Sequence, residues 1–521
     1  MVRWSRLILA AAVVVLLPIS TASGAGYGDR AVQYWLDHQL PSGSFPAIPD
    51  PAPAPHYGNT FMALAMALRH HDRSAAAAVS YWIAHPPATA PHPPFNAFAA
   101  LRTRRSLGSA APRRWDPVLQ RRMDHVADVW LTGRYVNNWS LVAAAAAMEA
   151  DRARIGHYRA RVVRYLKRRY LPQTRGGYGG DPGAWPLAYH AFGLAWLAHV
   201  AELTHDAELR SAAVSGCRVL VRLVSPMGRV AWYGRSYEES FAQAAAVYAL
   251  RRCERWNRSN AGRYERTAVA ALAMLRREHP TILGPLAIVP RMRFAQTIAR
   301  DGTDNYARLE VYNALTLALL AMAPPALVAP AGPPPGIVLA QTWLGPAGGP
   351  GLATLREGRA FLALSLRRPP TALDGRSSFG VHRAEQGRRP LVPAMTTSAA
   401  DDFDLPSATS VRTDGRAVLA KGSGYTLRIR VDGCTVVELL RLTRGRRVTV
   451  GGRVPLERGE GVVATDRGWR ATGGFVRISR SFARGATKVE AGSDRYRTAV
   501  FTARVALPAA TTLRVERGVA C

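Results

Sequence analysis

From about residue 27 to 323, apolar residues recur at helical rather than alternating spacing, and alanine dominates the apolar runs. That periodicity predicts helices around residues 61–68, 141–148, 191–203, 241–250, 268–275 and 311–322. Pro86-Pro87, the prolines from Pro91 to Pro94 and a glycine-rich stretch from Gly176 to Pro186 separate them. Pro324-Pro325 and a Pro/Gly/Ala run through Pro335 then close the helical section. Beyond it the texture changes. Residues 361–366, 425–431 and 475–478 read as strands, and Asp414-Gly415, Asp432-Gly433 and Gly451-Gly452 read as turns. The predicted organisation is a helical domain over 26–325, a linker over 326–336 and an antiparallel β-sandwich domain over 337–521.

The start of the chain has a different pattern. Arg3 and Arg6 precede an apolar run from Leu7 to Leu17, followed by small residues ending at Ala25. This is the layout of a signal peptide over 1–25, with an apolar core too short for a comfortable span; an uncleaved anchor is the alternative. No later stretch is apolar enough to cross a bilayer. A secreted or cell-envelope protein with no membrane span in the mature chain is expected, as a monomer.

The formal charge of +33 comes almost wholly from arginine, since lysine occurs only at 167, 421 and 488. A GC-rich coding sequence accounts for much of this, yet the charge favours any acidic partner. Nucleic acid is not expected, because no compact basic arm, zinc spacing or nucleic-acid motif accompanies the charge. Cys217, Cys253, Cys434 and Cys521 contain no CxxC pair, and no spacing calls for a metal or cofactor. In an oxidising compartment Cys217–Cys253 and Cys434–Cys521 are natural disulfides, one per domain, with buried free thiols as the alternative.

Position, more than sequence, repeats in the helical domain. Polar and aromatic clusters stand just ahead of apolar helices: His56-Tyr57-Gly58-Asn59, Pro94-Phe95-Asn96, Asn137-Asn138-Trp139, Tyr189-His190, Tyr233-Gly234-Arg235-Ser236-Tyr237-Glu238 and Asp304-Asn305-Tyr306. Between consecutive clusters there is room for one outgoing and one returning helix. Antiparallel pairs around a ring would bring the clusters to one rim, giving an (α/α) toroid with about six inner helices. Helix N-termini carry partial positive charge and unpaired N–H groups, so that rim favours an anion. Ordinary capping by Asn, Ser and Asp accounts for one or two clusters but not for all of them.

Asn-Asn-Trp, a glycine-rich loop leading to Tyr-His, and a Gly-Arg-Ser segment, in this order on an alanine-rich helical domain, resemble the α/α-toroid polysaccharide lyases. That class includes the hyaluronate/chondroitin/xanthan lyases and the heparinase II/III-like and alginate lyases, in which a β-sandwich follows the toroid. The resemblance implies β-elimination on an acidic, uronate-containing polysaccharide, with Asn, His, Tyr and Arg sharing the work. By it, Asn138 would bind the uronate carboxylate, His190 would be the catalytic histidine and Arg235 the family's arginine. The tyrosine base would be Tyr189 or Tyr237, because the stretch after His190 has no tyrosine where the hyaluronate-lyase pattern has one. Trp139 would stack on sugar, and Asn59, Asn137, Asp181, Tyr233, Glu238 and Asn305 complete the predicted substrate contacts.

Two other readings fit the same residues. A glycoside hydrolase on the toroid would need two carboxylates across one bond, drawn from Asp181, Glu238, Glu239, Asp304 and Glu310. A non-catalytic glycan-binding envelope protein would bind acidic glycans without turnover.

Overall fold

Helices apolar on every face must be enclosed on every face. The computed structural model describes residues 27–48, 53–85, 92–174, 177, 179, 186–236, 238–281, 284–289 and 308–331, and beyond these the strands and residues 366, 408–409 and 423–424. The predicted signal peptide and the Cys434–Cys521 pair lie outside the described residues.

Twelve helices are described: α1 (Asp29–Asp37), α2 (Gly58–Ala67), α3 (Asp72–Ala84), α4 (Pro93–Leu107), α5 (Asp116–Trp130), α6 (Asn138–Arg152), α7 (Arg159–Tyr165), α8 (Leu187–Thr204), α9 (Ala207–Leu223), α10 (Ser240–Trp256), α11 (Ala261–Glu278) and α12 (Leu309–Met322). The even-numbered helices form a closed inner ring, each packed on the next, with α12 returning to α2. Every residue of α2 is buried, and all but one of α12. The helices α3, α5, α7, α9 and α11 lie against their inner neighbours as the outer layer. This is the expected toroid, with six inner helices.

Local sequence sets the helix ends. Pro93 opens α4, where its missing N–H costs nothing. Asn137 and Ser140 form a reciprocal capping box at the start of α6, Asn137 Oδ1 accepting from Ser140 N at 3.2 Å and Ser140 Oγ from Asn137 N at 3.0 Å. Asp206 accepts from Glu208 N and Leu209 N to cap α9. A Cys217–Cys253 disulfide joins α9 to α10.

The lumen of the ring is filled. Trp196 lies edge-on to Phe98 at 4.6 Å and to Phe192 at 5.5 Å. Toward the C-terminal ends of the inner helices, the fully buried Glu149 meets Arg102 at 3.6 Å, Arg105 at 2.6 Å and His199 Nε2 at 2.8 Å. Burial lowers the pKa of His199, which favours the neutral ring. A neutral ring donates from Nε2 to Glu149 and accepts at Nδ1 from the Tyr248 hydroxyl, 2.6 Å away.

The C-terminal part is antiparallel β-structure. β1 (Val338–Trp343), β2 (Pro350–Glu357), β3 (Ala360–Ser365), β4 (Gly380–Gln386) and β5 (Arg389–Val392) form one sheet in chain order. The later strands make a sheet of eight and one of three, with Ala509–Arg517 inserted between Val476–Phe482 and Thr435–Leu442. The first sheet docks on the toroid: Leu352, Phe361 and Ala363 pack with Leu187, Leu223, Trp232 and Tyr233. Thr354 Oγ1 donates to Arg222 O at 2.9 Å, and Glu385 Oε2 accepts from Met227 N at 3.1 Å.

Candidate active site at the toroid rim

All six inner helices begin on one side, and a cleft of about 210 Å³ opens there. Each contributes residues at or near its N-terminus: Tyr57 from α2, His92 and Phe95 from α4, and Asn138 and Trp139 from α6. Tyr189 and Phe192 come from α8, Arg235 and Phe241 from α10 and the segment before it, and Tyr312 and Leu315 from α12. Six converging N-termini and the Arg235 guanidinium give the cleft a cationic field.

One wall is aromatic. Tyr57 stacks on Phe95 at 4.6 Å, His92 lies 4.4 Å from the Trp139 ring, and Phe241 stacks on Tyr312 at 5.2 Å. Burial holds the Tyr57 hydroxyl well above the usual phenol range, with Tyr189 and Glu239 adding to the shift. The other wall carries the polar chemistry. The Arg235 guanidinium carbon is 4.5 Å from the Tyr189 ring centroid. Ser236 Oγ donates to the Tyr189 hydroxyl at 3.4 Å. Asn138, the first residue of α6, lines the same cleft and is 7% exposed.

No family model matches the chain, and no curated protein matches its sequence. Solved structures do match its shape. A heparinase III superposes with a TM-score of 0.61 over 99% of this chain and 88% of that one, at 10% identity.

The chain has a heparinase III fold.

A second heparinase III gives a TM-score of 0.52 over 94% of this chain and 84% of that one, at 10% identity. A mutant of the heparan sulfate lyase HepC from Pedobacter heparinus gives 0.50 over 88% and 76%, also at 10% identity. These likenesses span both the toroid and the β-structure, so the chain shares the heparinase III-like architecture of an α/α toroid followed by β-structure.

Within this heparinase III fold the predicted residues separate. Asn138, Trp139, Tyr189 and Arg235 come together in the cleft. His190 does not line it. It is 1% exposed, with Nδ1 3.0 Å from Gly179 O and 3.2 Å from Gly179 N. Neighbours on a helix point about 100° apart, so with Tyr189 toward the cleft His190 is turned into the wall. There it ties the glycine-rich loop to α8. Burial lowers its pKa to about 4 despite bonds to the Gly179 and Gly216 backbone, so it is neutral at pH 7.

Four of the predicted substrate contacts serve the fold instead. Asn59 spends its amide on Phe45 N and Ala78 O, both at 2.9 Å. Asn137 is the cap of α6. Tyr233 is fully buried in the cluster beneath the β1–β5 sheet. Glu238 forms a buried ion pair with Arg229. Tyr237, Asp181 and Asn305 lie outside the described residues. The structure adds Tyr57, His92, Phe95, Phe192, Ser236, Phe241, Tyr312 and Leu315 to the site. Tyr57, Phe95 and Phe241 stand in or beside the helix-start clusters, the one sequence feature that pointed to them.

The buried histidines give a pH-dependent stability. His279, bonded to Ala287 O at 2.9 Å, is also lowered by burial to about 4. Between the ordinary histidine pKa and pH 4 the unfolded chain takes up protons that these folded sites refuse. Acidification therefore destabilises the fold, by about 2 kcal/mol for each site at pH 5. Urea midpoints at pH 7 and pH 5 check this: His190→Asn should show a smaller loss between the two than the unaltered chain. An equal loss would contradict it.

Proposed function

We propose that the chain is an exported polysaccharide lyase that cleaves an acidic, uronate-containing glycan by β-elimination. The observation carrying this reading is that Asn138, Tyr189 and Arg235, remote in sequence, line one cleft where six helix N-termini converge. The heparinase III fold supports it, as do two neighbours whose names are those of glycan-degrading enzymes. The disulfide in the toroid fits an oxidising compartment, in line with the predicted signal peptide.

The chemistry asks for three things. The C5 proton of a uronate is weakly acidic, so the adjoining carboxylate must be neutralised while negative charge moves onto it. The Arg235 cation and the Asn138 amide are the groups for that task. A base must take the proton, and the Tyr189 phenolate can do so. A guanidinium beside the ring and a hydroxyl donating to the phenolic oxygen both favour its anionic form. The C5–H electrons then form the C4–C5 double bond as the C4–O bond breaks, and Tyr189 returns the proton to the departing oxygen. Trp139 and His92 give the sugar ring an aromatic wall.

The hydrolase reading draws partly on Glu238, which is committed to Arg229. A panel of uronate-containing glycans, read by the near-ultraviolet absorbance of the unsaturated product, tests the proposal. At least one glycan is expected to yield the absorbing product, and Arg235→Lys should retain more of that activity than Arg235→Ala. Fragmentation without the absorbing product would overturn the reading in favour of hydrolysis. Binding without fragmentation would overturn it in favour of a non-catalytic role.

A further inference from the structure

The segment that presents Arg235 and Ser236 is an irregular loop between α9 and α10, and four of its described residues have left-handed backbones: Gly228 (φ 87°), Gly234 (φ 79°), Ser236 (φ 59°) and Glu238 (φ 54°). For the two residues with side chains this conformation is disfavoured and persists only where surrounding contacts over-determine it. The contacts are visible. Glu238 N donates to Ala231 O at 2.8 Å, closing the loop. The Glu238 carboxylate accepts from the Arg229 guanidinium, and both residues are less than a tenth exposed. Arg229 is itself held by a reciprocal pair with Ser225, Arg229 N donating to Ser225 Oγ at 3.1 Å and Ser225 N to Arg229 O at 3.0 Å. On the other side, Tyr233 O accepts from Leu187 N at 3.1 Å. A Cβ on Gly234 would come within 2.7 Å of Pro186, just ahead of the helix that carries Tyr189.

We infer that the buried Arg229–Glu238 pair is a positioning clamp: it holds Gly234, Ser236 and Glu238 in their left-handed conformations and so sets Arg235 and Ser236 against Tyr189. The β1–β5 sheet backs this clamp. Trp232 and Tyr233 pack on Leu352, Phe361 and Ala363, and Glu385 takes the amide of Met227 at the foot of the loop. The toroid thus presents its rim arginine from a segment pressed between α8 and the sheet. Glu238 acts here through Arg235 and touches no substrate. The inference rests on the proposed roles of Arg235 and Tyr189, but its geometry can be tested apart from them.

The experiment compares Glu238→Gln and Arg229→Met with Arg229→Lys in the full chain, by hydrogen exchange and by turnover of whichever glycan the panel identifies. In the first two variants the amides of 229–239 are expected to exchange at least about tenfold faster, while α6 and α8 stay protected. Turnover should fall by about tenfold or more in kcat with a smaller change in KM, as expected when a reacting group is misplaced rather than removed. Arg229→Lys, which keeps the charge, should recover part of both. Unchanged loop exchange in Glu238→Gln and Arg229→Met would overturn the clamp. Exchange raised equally across α6, α8 and the loop would also overturn it, showing a general loss of stability. If no glycan is turned over, the exchange arm alone decides: faster loop exchange supports the clamp even though the lyase reading has failed.

Discussion

Tyr189→Phe is expected to lower kcat on a susceptible uronate glycan by about a thousandfold, the middle of the range for loss of a proton-transferring side chain. The substitution deletes one oxygen and keeps the ring. Its edge contacts with Phe192 at 6.3 Å and Phe241 at 6.1 Å survive, and Arg235 keeps its aromatic face. Glycan affinity, read by calorimetry with the intact polymer, should change little, because the field of Arg235 and the helix termini remains. A fall in kcat with preserved binding is the pattern of a group used in the transition state rather than in the ground state. A variant with near-normal turnover would remove Tyr189 from the reaction and leave the cleft without the base proposed for it.

The largest effect on stability is expected at the opposite end of the ring. Glu149→Ala should cost about 3–5 kcal/mol, the range for breaking a buried ion pair from one side. Glu149 has no solvent exposure, and its carboxylate answers Arg102, Arg105 and His199 together. Removing it leaves two guanidinium groups beside the C-terminal half of α6 without their counter-charge. It also strips His199 of its acceptor, so the hydrogen bond running back to Tyr248 loses its outlet. Against a typical total of about 5–15 kcal/mol this is a large fraction, and the urea midpoint should drop accordingly. A loss under about 1 kcal/mol would mean that the arginines resolvate freely and that the cluster contributes little.

The toroid was legible because its inner helices are apolar all round and their starts are not. Runs such as 141–148 and 311–322 have no polar face to give to water, so they must lie inside a ring of other helices. The polar, aromatic clusters ahead of them mark the open end of that ring. Which member of a cluster faces the cleft was not legible. Tyr189 and His190 are adjacent, and only the rotation of α8, fixed by its packing on α6 and α10, decides between them. Asparagine is ambiguous for a chemical reason: the same amide that could hold a sugar also caps a helix or ties two backbones, as Asn137 and Asn59 do. Glu238 belongs to a buried pair whose partner stands nine residues earlier across an irregular loop, a contact no periodicity announces. The strand order was also hidden, since inserting the last strand between earlier ones follows from long-range pairing and not from local alternation.

The most direct test of the central claim, that this rim performs elimination, is to digest the susceptible glycan in water enriched in heavy oxygen and weigh the fragments. Elimination adds no water: the bridging oxygen leaves with one fragment as a hydroxyl, and the other fragment ends in a C4–C5 double bond and should be lighter than its hydrolytic counterpart by one water. Fragments that lack an unsaturated end and together carry the mass of one added heavy water would show hydrolysis and contradict the account.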